Sequence, residues 1–312
     1  MKKQSKKKRV NNNKDGADLP IVEMVNFLLG SRRQKREGRR GQWLMKSVGD
    51  HEWMFLEPLE FDDVYDSFDD GCEFLEQGAV GRAEQLFRDV LRKAPLHIDA
   101  LHHLAIILDE QGKKTEALQL WEQGVAIGRQ AFPKTFAPGD RLEWGWLENR
   151  PFLRCLHGLA LAVHDAGDAG RATCLLEELL SYNPDDNQGV RELLMGRYLE
   201  TQQYQKAVLL GRKYPGDGLP GVLYGFPLAL FRLGRYDQAK RKLLEAVKYS
   251  PKIAKELLKK NHKPPKSDMP GYITVGGWDE AYEYWRCFGR FWDEEALQWL
   301  RDTTKIEKIQ LI

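Results

Sequence analysis

Residues 153–186 have the sequence LRCLHGLALAVHDAGDAGRATCLLEELLSYNPDD, which is typical of two amphipathic helices joined by a short turn. Apolar residues recur at helical spacing on both sides of Gly167. The Ala-Gly-Asp turn combines a permissive backbone with a residue that caps the second helix. Ala172 is a small residue within that helix, and Pro184 ends it. The stretch therefore predicts a helical hairpin.

The same pattern recurs along the chain. A small residue occupies the equivalent place at spacings of 34, 55, 35 and 32 residues: Ala83, Ala117, Ala172, Ala207 and Ala239. A glycine precedes four of these alanines by five residues, and a proline follows three of them by twelve. An insertion accounts for the single long spacing. The fourth copy is weaker, since Gly211 stands where a large residue is usual.

These repeats resemble the tetratricopeptide (TPR) superfamily. The resemblance implies an all-α, right-handed solenoid of helical hairpins that binds other proteins and has no enzymatic activity. A narrower likeness rests on residues 183–191, NPDDNQGVR, with EAYEY at 280–284 and ALQWL at 296–300. These motifs are similar to a group of bacterial TPR proteins, and NPDDNQG is similar to the suppression-of-tumorigenicity family.

We divide the chain into four parts by composition and pattern. Residues 1–18 are a disordered basic tail, 19–63 a short helix with a basic and aromatic connector, 64–251 the array, and 252–312 atypical capping helices. The predicted repeats lie near 64–97, 98–131, 153–186, 188–218 and 220–251, with the insertion at 132–152.

Composition narrows the class of protein. The four cysteines show no paired spacing, which favours a reducing, cytoplasmic location over a disulfide framework. The sequence contains neither an apolar run long enough for a membrane span nor a secretory signal. The net charge of +2 conceals a basic N-terminal segment of 46 residues and an acidic remainder.

In a TPR solenoid the first helix of each repeat lines the concave groove. By repeat position and by the NPDDNQG motif, we expect a peptide-binding groove formed by Tyr65, Phe68, His102, Asp109, Arg154, His157, His164, Asp165, Asn187, Gln188, Arg191, Glu192 and Tyr224. Such a mixed acidic and apolar groove suits a peptide with some basic character. Alternatively, the insertion or the N-terminal segment fills the groove. For residues 185–188 a helix-capping role is the alternative to peptide binding.

The basic segment suggests a second kind of partner. Lys6, Lys7, Lys8, Arg9, Arg32, Arg33, Arg36, Arg39 and Arg40 are candidates for weak, sequence-independent contacts to nucleic-acid phosphates. Aromatic residues that would stack on bases are missing from these blocks, apart from the nearby Trp43.

Catalysis, metal binding and a cofactor are not expected. The sequence lacks a nucleophile–base motif, a phosphate-binding glycine loop and a metal-binding string. His157 and His164 are seven residues apart, which separates their Cα atoms by about 10 Å on a helix, too far for easy shared ligation.

Overall fold

The computed structural model describes residues 38–266 and 272–305. Within these residues, ten α-helices pair in sequence order into five hairpins that stack side by side. They are α1 Tyr65–Glu76, α2 Val80–Lys93, α3 Ile98–Glu110, α4 Lys114–Gln130, α5 Arg150–Asp165, α6 Ala169–Tyr182, α7 Val190–Glu200, α8 Tyr204–Lys213, α9 Pro220–Arg232 and α10 Tyr236–Tyr249. The predicted right-handed solenoid of helical hairpins is confirmed. The tail predicted at 1–18 and the short helix predicted after it lie outside the described residues.

The recurring alanines mark where helices approach closely. Ala83, Ala117, Ala172, Ala207 and Ala239 are all fully buried. A larger side chain at these places would force the helices apart, since a packed interior tolerates little added volume.

The turn between the two helices of a hairpin requires a left-handed backbone. In four hairpins a glycine supplies it, as at Gly167 with φ of 92°. In the fourth hairpin the same place is held by Gln202, whose φ is 56°. A side chain with a Cβ is strained in this region, so the fourth hairpin keeps the turn at an energetic cost.

Gly211 has a packing role in the same hairpin. A Cβ placed on Gly211 would lie 2.4 Å from Cγ of Phe226 on α9. The glycine therefore makes room for an aromatic ring of the next hairpin, which explains the departure from the repeat pattern.

A two-stranded antiparallel hairpin precedes the array. Strands β1 Leu44–Gly49 and β2 Glu52–Leu56 pair Leu44 with Leu56 and Met45 with Phe55. This hairpin lies where the sequence analysis placed only a connector. Trp43, just before β1, is buried and donates its indole N–H to the Leu96 carbonyl at 2.7 Å. The hairpin is thus anchored on the loop that precedes α3.

The insertion between α4 and α5 holds this hairpin in place. Asp140 accepts a hydrogen bond from Nε1 of Trp53 at 2.8 Å and lies 2.8 Å from Nδ1 of His51. The hydrogen bond from the Ala137 amide is the main cause that holds the pKa of Asp140 below its usual range, and the hydrogen bond with His51 acts in the same direction. Asn149 accepts from the Phe55 amide and donates to the Trp53 carbonyl, both at 3.0 Å. The insertion and β-hairpin therefore form one edge of the solenoid.

Three further helices close the C-terminal end: α11 Pro251–Leu257, α12 Trp278–Phe288 and α13 Glu294–Thr304. The ring of Trp299 on α13 stacks on Phe231 of α9 at 4.4 Å between centroids. On α12, the Tyr284 hydroxyl accepts a hydrogen bond from Nε1 of Trp292 at 2.9 Å. None of the helices in the described ranges has the length and apolar character needed to cross a bilayer.

Candidate functional site

Helix α5 occupies the middle of the concave surface. Its inward side presents Arg154, His157, Leu161 and His164, one above the other along the helix. A cavity opens at each end of this row. Arg154 lines one cavity, whereas Leu161 and His164 line the other.

The N-terminal cavity has a volume of about 380 Å³. The β-hairpin and its flanking residues form one wall, and α1, α3 and α5 form the other: the lining includes Phe61, Tyr65, Phe68, Asp99, Arg150 and Arg154. Arg154 forms an ion pair with Asp99, which is only 8% exposed. The Nε atom of Arg154 and Oδ1 of Asp99 have no hydrogen-bond partner within the described residues. Both atoms are buried, and Oδ1 of Asp99 lies 3.6 Å from Nδ1 of His103. The rest of the Arg154 side chain is 34% exposed and lines the cavity, so its guanidinium is the polar group that a ligand there can contact.

The C-terminal cavity is larger, at about 630 Å³. Its walls come from α5, α7 and α12, and its lining includes Leu161, His164, Leu193, Arg197, Glu283 and Phe288. More of the lining surface is apolar than polar. Leu161 and Leu193 stay 42% and 37% exposed, although both are apolar residues on the concave side. An apolar concavity with charged residues at its margin is the usual form of a ligand site.

Two of the predicted groove histidines, one on α3 and one on α5, are largely buried. His102 accepts a hydrogen bond from Nε1 of Trp121 at 3.1 Å, and burial lowers its pKa to about 3. Burial also lowers the pKa of His157, whose Nδ1 lies 3.5 Å from Nε2 of Gln188. Gln188 donates from the same nitrogen to the Leu153 carbonyl at 3.3 Å. These side chains form the floor of the groove rather than an open contact surface.

The NPDDNQG motif forms a helix cap and a charge network. Asp186 is nearly buried, with φ of 53°, and its carboxylate accepts hydrogen bonds from the Val190 and Arg191 amides at the start of α7. The Arg191 guanidinium lies between Asp186 and Asp217 and over the ring of Tyr214. The hydrogen bond to Asp217 raises the pKa of Arg191 further above its usual range. The network ties the third, fourth and fifth hairpins together.

The other predicted groove residues are placed as follows. Asp109 lies at the far end of α3 in an ion pair with Lys114 at 2.7 Å. Asp165 and Asn187 are exposed. Tyr224 is fully buried, with its hydroxyl donating to the Ser250 carbonyl at 2.7 Å. Glu192 lines the C-terminal cavity. Of the predicted set, Tyr65, Phe68 and Arg154 meet in one cavity and His164 and Glu192 in the other, and their part in peptide binding stays a prediction.

Several cavity residues were not identified from the sequence. Leu193 and Arg197 on α7 fall outside the groove positions counted there, and α12 contributes Glu283, Arg286 and Cys287 from the distant C-terminal region. Nothing in the local pattern places α12 beside α7.

The predicted phosphate-binding residues fall largely outside the described part of the chain. Seven of them lie outside it: Lys6, Lys7, Lys8, Arg9, Arg32, Arg33 and Arg36. Arg39 and Arg40 are exposed beside the first strand. Across residues 38–266 and 272–305, no group of three His, Cys, Asp or Glu side chains is arranged to hold a metal ion.

Comparison with known proteins identifies one matching family. Residues 73–310 match the model of the Tcf25 family, described as transcriptional repressor TCF25. This region runs from α1 through the array and the capping helices and covers well over half of the chain. No curated protein matches the chain. The narrower likeness to the suppression-of-tumorigenicity family stays a prediction.

Solved structures of TPR proteins are similar to part of the chain. YrrB, a TPR protein with an unusual peptide-binding site, is 12% identical over 59% of this chain and 85% of its own, with a TM-score of 0.44. MamA is 17% identical over 63% and 96%, with a TM-score of 0.45. A TPR protein from Parabacteroides merdae is 19% identical over 61% and 68%, with a TM-score of 0.46. The assignment of the fold rests on the helical hairpins of this chain.

Proposed function

The chain belongs to the Tcf25 family, and we propose that it is a non-catalytic scaffold whose concave surface binds a peptide segment of another protein. The observation that supports this most directly is the pair of open cavities along the inward side of α5.

The shape of the surface favours a peptide over a small metabolite. Arg154 and His164 are ten residues apart on α5, which corresponds to about 15 Å along the helix axis. A ligand that reaches both cavities must therefore be extended. Exposed leucines in one cavity and the partly exposed Arg154 guanidinium in the other would hold different side chains of one segment.

The structure also decides which variants test the proposal. Arg154, His157 and Glu192 make internal contacts, so their replacement would disturb the fold as well as a ligand. Leu161→Asp is the better choice, because Leu161 is already 42% exposed. Leu209→Asp is a matched control, since Leu209 is 63% exposed on α8, the second helix of its hairpin.

The experiment is selection of a random dodecapeptide library displayed on phage against the full chain. We expect enriched peptides to lose binding to Leu161→Asp and to keep binding to Leu209→Asp. Enriched peptides that bind both variants equally, or no enrichment, would refute concave peptide binding. Melting curves must show that both variants are folded.

A second candidate is a nucleic-acid-associated adaptor, which the description of the family as a transcriptional repressor favours. In this proposal the basic N-terminal residues contact phosphates and the array contacts protein. Deleting residues 1–37 removes most of the lysines and arginines of the basic N-terminal segment and none of the residues that the structure describes. Retention on RNA or DNA that falls with salt should disappear in this deletion. Absence of retention by the intact chain at low salt would reject the adaptor.

A further inference from the structure

We propose that the C-terminal cavity selects peptide segments in which an apolar side chain lies next to a carboxylate. This inference rests on the proposed function and specifies the ligand more closely. It concerns the charge of the cavity margin, which differs from the acidic character that the sequence suggested for the groove.

The apolar part of the cavity is open to solvent. Leu161 on α5 and Leu193 on α7 face a space of about 630 Å³ that Phe288 of α12 closes on the opposite side. Two leucines exposed in a concave space bury apolar surface only when an apolar ligand enters.

The carboxylates that line the cavity are committed to the protein itself. Glu192 accepts a hydrogen bond from the Gly221 amide at 2.6 Å, and burial raises its pKa. Glu280 is buried and accepts from the Gly276 amide at 3.0 Å. Glu283 forms an ion pair with Arg286 on its own helix. These acidic groups are therefore poorly placed to attract a basic ligand.

Two arginines at the margin of the cavity share a single acidic partner. Arg197 on α7 and Arg290 after α12 both pair with Glu200, at 2.8 and 3.4 Å, so two guanidinium groups share one carboxylate. Arg197 also donates to Nδ1 of His164 at 2.8 Å. Each guanidinium has five N–H donors and binds a carboxylate through two of them. A ligand carboxylate is the group that completes this arrangement.

Charge also decides among other occupants of the cavity. The basic block at residues 2–9 would meet the two arginines with like charge, so this block is disfavoured as the occupant. Binding of a second copy of the chain in the cavity is an alternative that the test below distinguishes. An acidic peptide segment with leucine-like anchors fits both the apolar surface and the margin.

The test uses two pools of fluorescein-labelled peptides with both termini blocked and with two leucines three residues apart. One pool has Asp and Glu beside the leucines, the other has Lys and Arg, and the remaining positions are degenerate. Fluorescence anisotropy with the full chain should show at least tenfold tighter binding of the acidic pool, with weaker binding as NaCl rises. A charged hydrogen bond corresponds to roughly tenfold in affinity, so Arg290→Gln should lose about that factor.

Matched variants separate the outcomes. Leu193→Asp should abolish binding of the acidic pool, whereas Arg212→Gln on α8 should leave it unchanged. Preference for the basic pool, or equal binding of both pools, would overturn the charge assignment but leave concave peptide binding intact if Leu193→Asp still removes it. Binding of neither pool overturns the inference, and the phage selection then decides the proposed function independently. A dimer in sedimentation velocity that Leu193→Asp dissociates would identify a second copy as the occupant instead.

Discussion

The histidines under the groove make the stability of the protein depend on pH. His102 is 9% exposed and has a pKa of about 3 in the folded chain, against 6.5 for an unperturbed histidine. Between these values the unfolded chain binds a proton that the folded chain does not. The stability contributed by neutral His102 is therefore complete above pH 6.5 and decreases as the pH falls below that value.

The size of the effect follows from the two pKa values. One pH unit corresponds to about 1.4 kcal/mol for a single proton, so the step from pH 6.5 to pH 5 removes about 2 kcal/mol through His102 alone. Burial lowers the pKa of His97 to about 4, so His97 changes the stability in the same direction. His51 acts in the opposite direction, because its hydrogen bond to Asp140 raises its pKa.

Urea unfolding followed by tryptophan fluorescence at pH 7 and pH 5 measures the difference. In His102→Gln the amide oxygen can still accept from Trp121, but the residue no longer titrates. We expect the loss of unfolding free energy between the two pH values to be about 2 kcal/mol smaller in this variant than in the wild type. Leu104→Ala on the same helix should lower the stability equally at both pH values. An equal pH-dependent loss in the wild type and His102→Gln would refute the assignment of a buried neutral histidine.

Three further changes test the array and its N-terminal edge. Gln202→Gly should raise the unfolding free energy by about 1 kcal/mol, because glycine adopts the left-handed backbone of this turn without the strain that a side chain causes. A loss of stability in urea titration would contradict the strained turn. Arg191→Met should cost about 3 kcal/mol by leaving two buried carboxylates unpaired, and Arg191→Lys should cost less; equal stability of Arg191→Met and wild type would show that the network contributes nothing. Deletion of 1–46 removes buried Trp43, which deletion of 1–37 keeps, so the longer deletion should be less stable than the shorter one by about 4 kcal/mol; similar melting of both deletions would contradict the anchoring of the β-hairpin.

The fold was predictable because its information is local. Each helical hairpin is specified by apolar spacing and a turn within about 34 residues, and repetition of the pattern makes the assignment secure. The departures in the fourth hairpin have local causes too. Gln202 adopts the backbone that glycine has elsewhere, and Gly211 makes room for Phe226. The sequence pattern weakened at these two places although the helical architecture did not.

The β-hairpin and the walls of the cavities were not predictable in the same way. The strands at 44–49 and 52–56 are short, and their stability depends on contacts with Asp140 and Asn149, about ninety positions away in the chain. Tyr224 occupies a groove position by repeat counting, yet the segment that follows α10 covers it through the Ser250 carbonyl. Local periodicity assigns a face to each helix but does not identify the non-repeat segment that packs on it.

Closure of the concave surface at both ends limits the length of the ligand. The β-hairpin bounds the N-terminal cavity and α12 bounds the C-terminal cavity. In the proposed peptide complex, the segment would therefore lie between two walls that are not part of the repeats. About 15 Å along α5 separates Arg154 from His164, and an extended peptide advances about 3.3 Å per residue. About five residues therefore separate the side chain that reaches Asp99 and Arg154 from the one that reaches the leucines. Because these two ends differ in chemistry, a peptide that satisfies both can bind in only one direction.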